Sequence, residues 1–259
     1  EFPDNTMVAF EGAAALGVDA LEIDLQLTAD DQLVCIHDYD VGQLTNGSGL
    51  VRSMTVPELQ RLNVLPWRRR SRWQGQHLPI PTLDEVFARF HDTAMLFALE
   101  IKNQDGDGRR AAHVLHAAIE RWGLGERCVV GSFWVEALEA FREVSGDSIA
   151  TSGAESEVRK AIIASIAHAD RWWYQPGSLS ILQIPSDPQE TGGFNLATSY
   201  VVQRAHAHHQ AVQYWTVNDP EMIWHMLTIG ADGIITDYPS RVLTILAEAG
   251  FELPPPVLS

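Results

Sequence analysis

Two carboxylates near the start of the chain have a spacing that suits metal or acid–base chemistry. Glu22 and Asp24 lie two residues apart in the apolar run 19–27. In a β-strand, alternate side chains point to the same face, so these carboxylates would lie side by side. A solvated acidic edge strand is the alternative interpretation of this segment.

A histidine follows a second apolar run shortly afterwards. His37 comes directly after the run 33–36, and the polar break between the two runs is too short for a parallel crossover. The two runs should therefore form a β-hairpin at about 24–37. With residues 30–31 at its tip, Asp24 would lie opposite His37, and an imidazole would join the two carboxylates.

A second charged pair lies at the end of another apolar run. Glu100 and Lys102 share one face of the predicted strand 95–102. Of the eighteen basic residues only Lys102 and Lys160 are lysines, so a chain that otherwise uses arginine has a compact ammonium here. Such a group suits a point contact with a phosphate oxygen. An internal Glu–Lys ion pair is the alternative.

Composition limits the classes of function. A net charge of −16 argues against partners that are nucleic acids or anionic membranes. No apolar run reaches eighteen residues, so we expect no transmembrane segment. Cys35 and Cys128 have neither metal-site spacing nor a CxxC partner, which favours buried free thiols. We expect a cytoplasmic protein; secretion or a periplasmic location stays open because the sequence begins at Glu1 and not at Met. Oligomeric state is not predicted.

The order of elements predicts an α/β barrel. A helix at about 6–16, capped by Asp4 or Asn5 and ended by Gly17, comes first. Apolar runs and helical stretches then alternate, which is typical of parallel strands covered by helices. The predicted strands are 19–27, 95–102, 127–133, 148–152, 179–184, 211–217 and 232–236. At 259 residues the chain suits one domain, 1–259, with a (β/α)8 TIM-barrel fold whose first strand would lie upstream of residue 1.

Polar residues gather where such a barrel forms its active site. They lie near the C-terminal ends of separate strands, the end at which βα loops meet: Glu22, Asp24, Glu100, Lys102, Gln183, Trp215, Asn218 and Asp237. A doubly wound sheet would instead require a Gly-rich phosphate loop, which the sequence lacks.

The donor set favours a hard cation. Carboxylates without cysteine suit Mg²⁺ or Ca²⁺ better than Zn²⁺. His37 could protonate a leaving alkoxide beside that ion, so the residues themselves suggest metal-assisted phosphodiester cleavage. An ion-pair network in a barrel of other chemistry is the alternative.

Several motifs, in order along nearly the whole chain, resemble those of glycerophosphodiester phosphodiesterases. They are Pro3-Asp4-Asn5-Thr6, Glu22-Ile23-Asp24, His37-Asp38, Ile80-Pro81-Thr82-Leu83-Asp84-Glu85, Glu100-Ile101-Lys102, Ser132-Phe133, Trp215-Thr216-Val217-Asn218 and Gly233-Ile234-Ile235-Thr236-Asp237. The resemblance implies hydrolysis of a glycerophosphodiester to glycerol 3-phosphate and an alcohol, with one divalent cation, Mg²⁺ or Ca²⁺.

The resemblance also implies a role for individual residues. The implied metal ligands are Glu22, Asp24 and Glu100, the implied general acid is His37, and the implied substrate contacts are Lys102 and Trp215. We also predict substrate-binding roles for Gln183, from its place at a strand end, and for Phe133 of the Ser132-Phe133 motif. The family's other catalytic histidine belongs to a His-Arg-Gly motif that precedes the segment matching Pro3, so we expect that motif upstream of Glu1.

Two alternatives to this function remain. A related activity would be lysophospholipase D-like hydrolysis of lysophospholipids, which an apolar groove lined by Trp67, Trp73 and Trp172 would favour. If the protein truly began at Glu1, an inactive barrel that binds phosphodiesters would be favoured instead.

Overall fold

Strands and helices alternate along most of the chain. A computed structural model describes residues 1–64, 73, 75–166 and 179–258. The helices are α1 (Met7–Leu16), α2 (Val56–Leu59), α3 (Leu83–Phe90), α4 (Asp105–Trp122), α5 (Val135–Ser145), α6 (Glu155–Ile166), α7 (Ser199–Ala207), α8 (Pro220–Ile229) and α9 (Pro239–Glu248). The strands are β1 (Ala20–Leu27), β2 (Leu33–Cys35), β3 (Leu96–Ile101), β4 (Cys128–Gly131), β5 (Ala150–Ser152), β6 (Leu179–Pro185), β7 (Ala211–Trp215) and β8 (Gly233–Ile234). Within these ranges, each helix is too short or too polar to cross a lipid bilayer.

The strands form one curved sheet in the order β2-β1-β3-β4-β5-β6-β7-β8. All seven predicted barrel strands are present, and each is parallel to the next in the sheet. β2 pairs with β1 in antiparallel orientation, which confirms the predicted hairpin. Helix α1 packs against α9, so the two ends of the described chain meet.

The hairpin register differs by one residue from the prediction. Asp24 lies opposite Ile36, whose N–H donates to the Asp24 carbonyl at 3.0 Å, and not opposite His37. The turn contains three residues rather than two, with Asp31 in the left-handed region at φ 59°. Three-residue hairpin loops commonly take this form. His37 therefore lies in the loop after β2 and is not paired with Asp24.

The cap of α1 also differs from the prediction. The Thr6 side chain, not that of Asp4 or Asn5, accepts a hydrogen bond from the Ala9 N–H at 3.2 Å. Gly17 ends the helix at φ 90°, as predicted. Because Thr6 supplies the cap, the side chain of Asn5 is available for a different contact.

The sheet has an apolar outer face and a more polar inner face. On β3, Phe97, Leu99 and Ile101 are buried in the large core cluster with the covering helices, whereas Glu100 lies on the other face. Burial of such an apolar side chain contributes about 1.5–3 kcal/mol. The outer face thus holds the strands in place while the inner face is free to carry polar groups.

Of the tryptophans predicted to line a groove, Trp67 and Trp172 lie outside the described residues. Trp73 is half-buried, packs against the apolar cluster beside β2, and has its ring centroid 6.2 Å from that of Phe2.

A buried ion pair joins two helices to the end of β5. Arg142 on α5 and Glu157 on α6 are 7% and 2% exposed, and their charged atoms lie 2.7 Å apart. Arg142 also donates to Thr151 Oγ1 and to the Ser152 carbonyl, while Glu157 accepts from the Ala154 N–H. Removing one partner of such a pair leaves an uncompensated charge in the interior.

We expect Glu157→Gln to lower the free energy of unfolding by about 3 kcal/mol, because Arg142 would keep its charge without a counterion. The matched control is Glu155→Gln on the same helix, where the ion pair with Arg159 is exposed. Its effect should stay within about 0.5 kcal/mol. Urea unfolding would measure both, and equal midpoints for the two variants would contradict the prediction.

Candidate active site

Three carboxylates meet at the C-terminal ends of β1 and β3. Asp24 is in register with Glu100 on the neighbouring strand, and Glu22 lies one alternation earlier on the same face as Asp24. One oxygen from each carboxylate lies within 4.8 Å of the others. The structure thus brings together the three residues that the sequence assigned to one cluster.

Lys102 lies against this cluster. Its Nζ is 2.9 Å from Glu100 Oε1 and 3.4 Å from Asp24 Oδ1, and its side chain is 12% exposed. Burial alone would lower the pKa of Lys102, but Glu100, Asp24 and Glu22 outweigh it and raise the pKa. The ammonium therefore stays protonated near neutral pH and places a positive charge beside the carboxylates.

The cluster carries excess negative charge despite this lysine. Burial, followed by Asp24 and Glu100, raises the pKa of Glu22 well above its usual value, and Asp237 adds to the effect. Burial also raises the pKa of Glu100, although Lys102 opposes the shift. One ammonium does not balance three carboxylates in a desolvated site.

The donor set fits a divalent cation. The buried Oε1 of Glu100 accepts from the Lys102 ammonium at 2.9 Å, so one positive charge faces three close carboxylates. Close, desolvated carboxylates whose charge a single ammonium does not balance are the arrangement that a hard cation stabilises. Glu22, Asp24 and Glu100 are therefore the candidate ligands.

Asn5 holds Asp24 from the side away from Lys102. The Asn5 amide donates to Asp24 Oδ2 at 2.7 Å, and its Oδ1 accepts from the Asp24 N–H at 3.1 Å. Asn5 takes up a left-handed backbone conformation, φ 53°, to make both contacts. The sequence alone does not indicate this role, because an asparagine just ahead of a helix equally suits its cap.

His37 lies in the loop after β2 and is 58% exposed. Its Nδ1 is 2.7 Å from Asp38 Oδ1, which orients the ring, and Nε2 makes no hydrogen bond with the described residues. Gln26 is buried and shares a strand face with Asp24; its amide donates to the carbonyls of Ile36 and His37 at 3.1 and 3.0 Å. Gln26 and Asp38 thus belong to the site, although neither the strand period nor the spacing of the charged residues predicts a role for them.

Two aromatic residues form a wall next to Lys102. The rings of Phe133 and Trp215 meet edge to face with centroids 5.6 Å apart. The Lys102 Nζ lies 5.6 Å from the Phe133 ring centroid, and Phe133 is 43% exposed. The wall, defined by Phe133 and Trp215, offers an apolar surface beside the charged cluster.

Gln183 lies deeper, inside the curved sheet. Its amide donates to Gln213 Oε1 at 3.1 Å. A Cβ on Gly131 would come within 3.1 Å of Gln183 Oε1, so the amide reaches across this glycine, the register neighbour of Glu100. Gln183 thus approaches the cluster from the interior, and its hydrogen bond in the described chain is to Gln213.

Comparison with known proteins identifies related sequences. A profile of the glycerophosphoryl diester phosphodiesterase family matches residues 1–241. A glycerophosphodiester phosphodiesterase from Bacillus altitudinis is 30% identical over 252 residues, covering 95% of this chain and 94% of the relative. Another from Caldanaerobacter subterraneus subsp. tengcongensis is 28% identical over 248 residues, covering 96% and 94%.

Solved structures show the same fold. A Silicibacter pomeroyi protein assigned to the glycerophosphoryl diester phosphodiesterases has a TM-score of 0.77 at 26% identity, covering 97% of this chain and 90% of that one. An Oleispira antarctica phosphodiesterase, solved with the product sn-glycerol-3-phosphate, has a TM-score of 0.74 at 22% identity, covering 95% and 92%. These similarities show the TIM-barrel fold class that the sequence predicts.

We expect Asn5→Gly to weaken binding of Mg²⁺ or Ca²⁺ by about tenfold, because loss of an outer-shell partner leaves a ligand unoriented. Glycine keeps the left-handed conformation and removes only the amide. Asp147→Gly makes the same backbone change at an exposed position, φ 57°, and should bind as the parent does. Isothermal titration calorimetry would measure both, and unchanged affinity in Asn5→Gly would refute the role.

Proposed function

Because the chain belongs to the glycerophosphoryl diester phosphodiesterase family, we propose that one barrel domain, residues 1–259, hydrolyses a glycerophosphodiester to glycerol 3-phosphate and an alcohol. The chain is a phosphoric diester hydrolase. The observation that carries the proposed site is the convergence of Glu22, Asp24 and Glu100 within 4.8 Å, in contact with Lys102. The Bacillus altitudinis enzyme and the product complex of the Oleispira protein support the choice of substrate.

The three carboxylates are proposed to hold one divalent cation, Mg²⁺ or Ca²⁺. Both ions accept carboxylate oxygens, and the donor set does not distinguish them. When bound, such an ion supplies charge neutralisation for the phosphodiester as a Lewis acid. Asn5 keeps Asp24 in position for it, since the amide engages Oδ2 and leaves Oδ1 on the side of Lys102.

Lys102 is proposed to bind a non-bridging oxygen of the phosphate. Its ammonium remains charged beside Glu100 and Asp24, and its side chain is mostly withdrawn from water. In such a site a fixed donor stabilises developing negative charge more strongly than it would in solvent. The carboxylates hold this donor before substrate arrives, so little reorganisation is needed.

His37 is proposed as the general acid. Asp38 engages Nδ1, which leaves Nε2 to carry the transferred proton. As water forms a new bond to phosphorus and gives up a proton to solvent, which later returns one to His37, the bond from phosphorus to the leaving oxygen breaks. The electron pair of that bond stays on the leaving oxygen, which takes the Nε2 proton and departs as the alcohol.

The aromatic wall and Gln183 are proposed to contact the organic part of the substrate. Phe133 and Trp215 offer apolar surface to carbon atoms beside the phosphate. Gln183 donates one amide hydrogen to Gln213, and its Oε1 can accept a hydrogen bond from a substrate hydroxyl.

We expect the purified protein to release glycerol 3-phosphate from glycerophosphocholine, with EDTA abolishing the activity and Mg²⁺ or Ca²⁺ restoring it. An enzyme-coupled assay for glycerol 3-phosphate measures this directly. Full activity in EDTA would remove the cation from the proposal. Turnover of lysophosphatidylcholine without turnover of glycerophosphocholine would favour the lysophospholipase D-like alternative.

We expect His37→Asn to lower kcat on glycerophosphocholine by about 10²–10⁴-fold, the usual contribution of a general acid. The loss should be much smaller on glycerophospho-p-nitrophenol, because p-nitrophenolate leaves without protonation. His91→Asn is the control, since His91 also contacts a neighbouring aspartate, Asp92 at 3.1 Å, but follows α3. Equal losses by His37→Asn on both substrates would contradict the acid role.

A further inference from the structure

The side chain of Tyr39 joins two parts of the proposed site. Tyr39 lies two residues after His37 in the loop that leaves β2. Its hydroxyl donates to the backbone carbonyl of Lys102 at 2.6 Å. The residue is 40% exposed, so packing in the core does not account for the position of its side chain.

The two segments that Tyr39 joins are not neighbours in the sheet. β1 lies between β2 and β3, so the His37 loop and the end of β3 stand on opposite sides of the strand that carries Glu22 and Asp24. Tyr39 therefore reaches across the end of β1. This hydrogen bond connects the loop that carries His37, the proposed acid, with the backbone of Lys102, the proposed phosphate contact.

Other hydrogen bonds fix each segment separately to β1. Gln26 on β1 holds the carbonyls of Ile36 and His37. On the other side, the Lys102 N–H donates to the Leu25 carbonyl at 3.0 Å, and Asn103 Oδ1 accepts from the Leu27 N–H.

Tyr39 is itself anchored by its backbone, because its carbonyl accepts from the Val51 N–H at 2.9 Å. The tyrosine hydroxyl adds to these contacts a direct connection between the His37 loop and β3.

We propose that Tyr39 is a positioning residue that sets the separation between His37 and Lys102. The inference rests on the proposed function, in which these two side chains act on different oxygens of one phosphodiester. Proton transfer needs the donor within hydrogen-bond reach of the leaving oxygen while the ammonium holds the phosphate. A displacement of about 1 Å can lower the rate by up to about 10²-fold.

The test is Tyr39→Phe, which removes only the hydroxyl. We expect kcat on glycerophosphocholine to fall about tenfold with KM changed less than about twofold, because substrate binding is kept while the acid is misplaced. On glycerophospho-p-nitrophenol, which needs no protonation, kcat should change less than about twofold. Equal losses on both substrates, or no loss on either, would overturn the positioning role.

Tyr214→Phe is the matched control for simple loss of a tyrosine hydrogen bond. Its hydroxyl also donates to a backbone carbonyl, that of Leu196 at 2.8 Å, but in the interior behind β7. This variant should melt at a lower temperature and keep the parent's ratio of rates on the two substrates. A changed ratio in Tyr214→Phe would show that the ratio does not report on the acid, and would remove the support for the role of Tyr39.

His37→Asn separates failure of this inference from failure of the proposed function. Without the acid, adding Tyr39→Phe should have no further effect on glycerophosphocholine, because the positioned group is gone. An additive loss in the double variant would overturn the inference while leaving the acid role intact. If His37→Asn slows both substrates equally, the acid role itself fails.

Discussion

The mutual repulsion of Glu22, Asp24 and Glu100 is the constraint that the surrounding structure must satisfy. One oxygen of each lies within 4.8 Å of the others, and the single ammonium of Lys102 faces all three carboxylates. Like charges in a desolvated site repel one another, which favours either protonation or separation, and separation requires that the backbone can move. Here the parallel register that places Asp24 beside Glu100 prevents it, and the apolar outer face of the sheet stabilises that register.

Room for polar groups inside the sheet depends on residues with no side chain. A Cβ on Gly131 would lie 2.7 Å from Ser152 Oγ, and one on Gly233 would lie 2.9 Å from Gln213 Cγ. Both distances are shorter than van der Waals contact, so alanine at either position would displace a polar side chain. The small residues on β4 and β8 are therefore what allows glutamine amides to fill the interior between them.

The fold was predictable from the sequence because apolar runs and helical periods repeat in a regular order. The strand period places Glu22 and Asp24 on one face, and the predicted parallel order of the strands brings the end of the Glu100 strand to the same edge of the sheet. Contacts between loops were not predictable in this way. The sequence predicts Asp4 or Asn5 as the cap of α1, because neighbouring polar residues all suit that position, whereas Thr6 takes it in the structure. The hairpin register depended on Asp31 adopting a left-handed conformation, which lengthened the turn by one residue. The hydrogen bonds that Gln26 and Tyr39 donate depend on the path of the loops. The periodicity of apolar residues does not predict that path.

The hydrogen bonds between Asn5 and Asp24 couple two parts of the molecule that are distant in sequence. Asn5 belongs to the segment ahead of α1, and Asp24 belongs to β1. Docking of that segment and occupancy of the carboxylates are therefore linked equilibria, and linkage is reciprocal. If docking of the segment raises the affinity of the site for a cation, then binding of the cation stabilises the docked segment against local opening by the same free energy. The order of the residues around Asn5 would then vary with the free concentration of the ion, so that hydrogen exchange at this edge of the barrel reports on events at its centre.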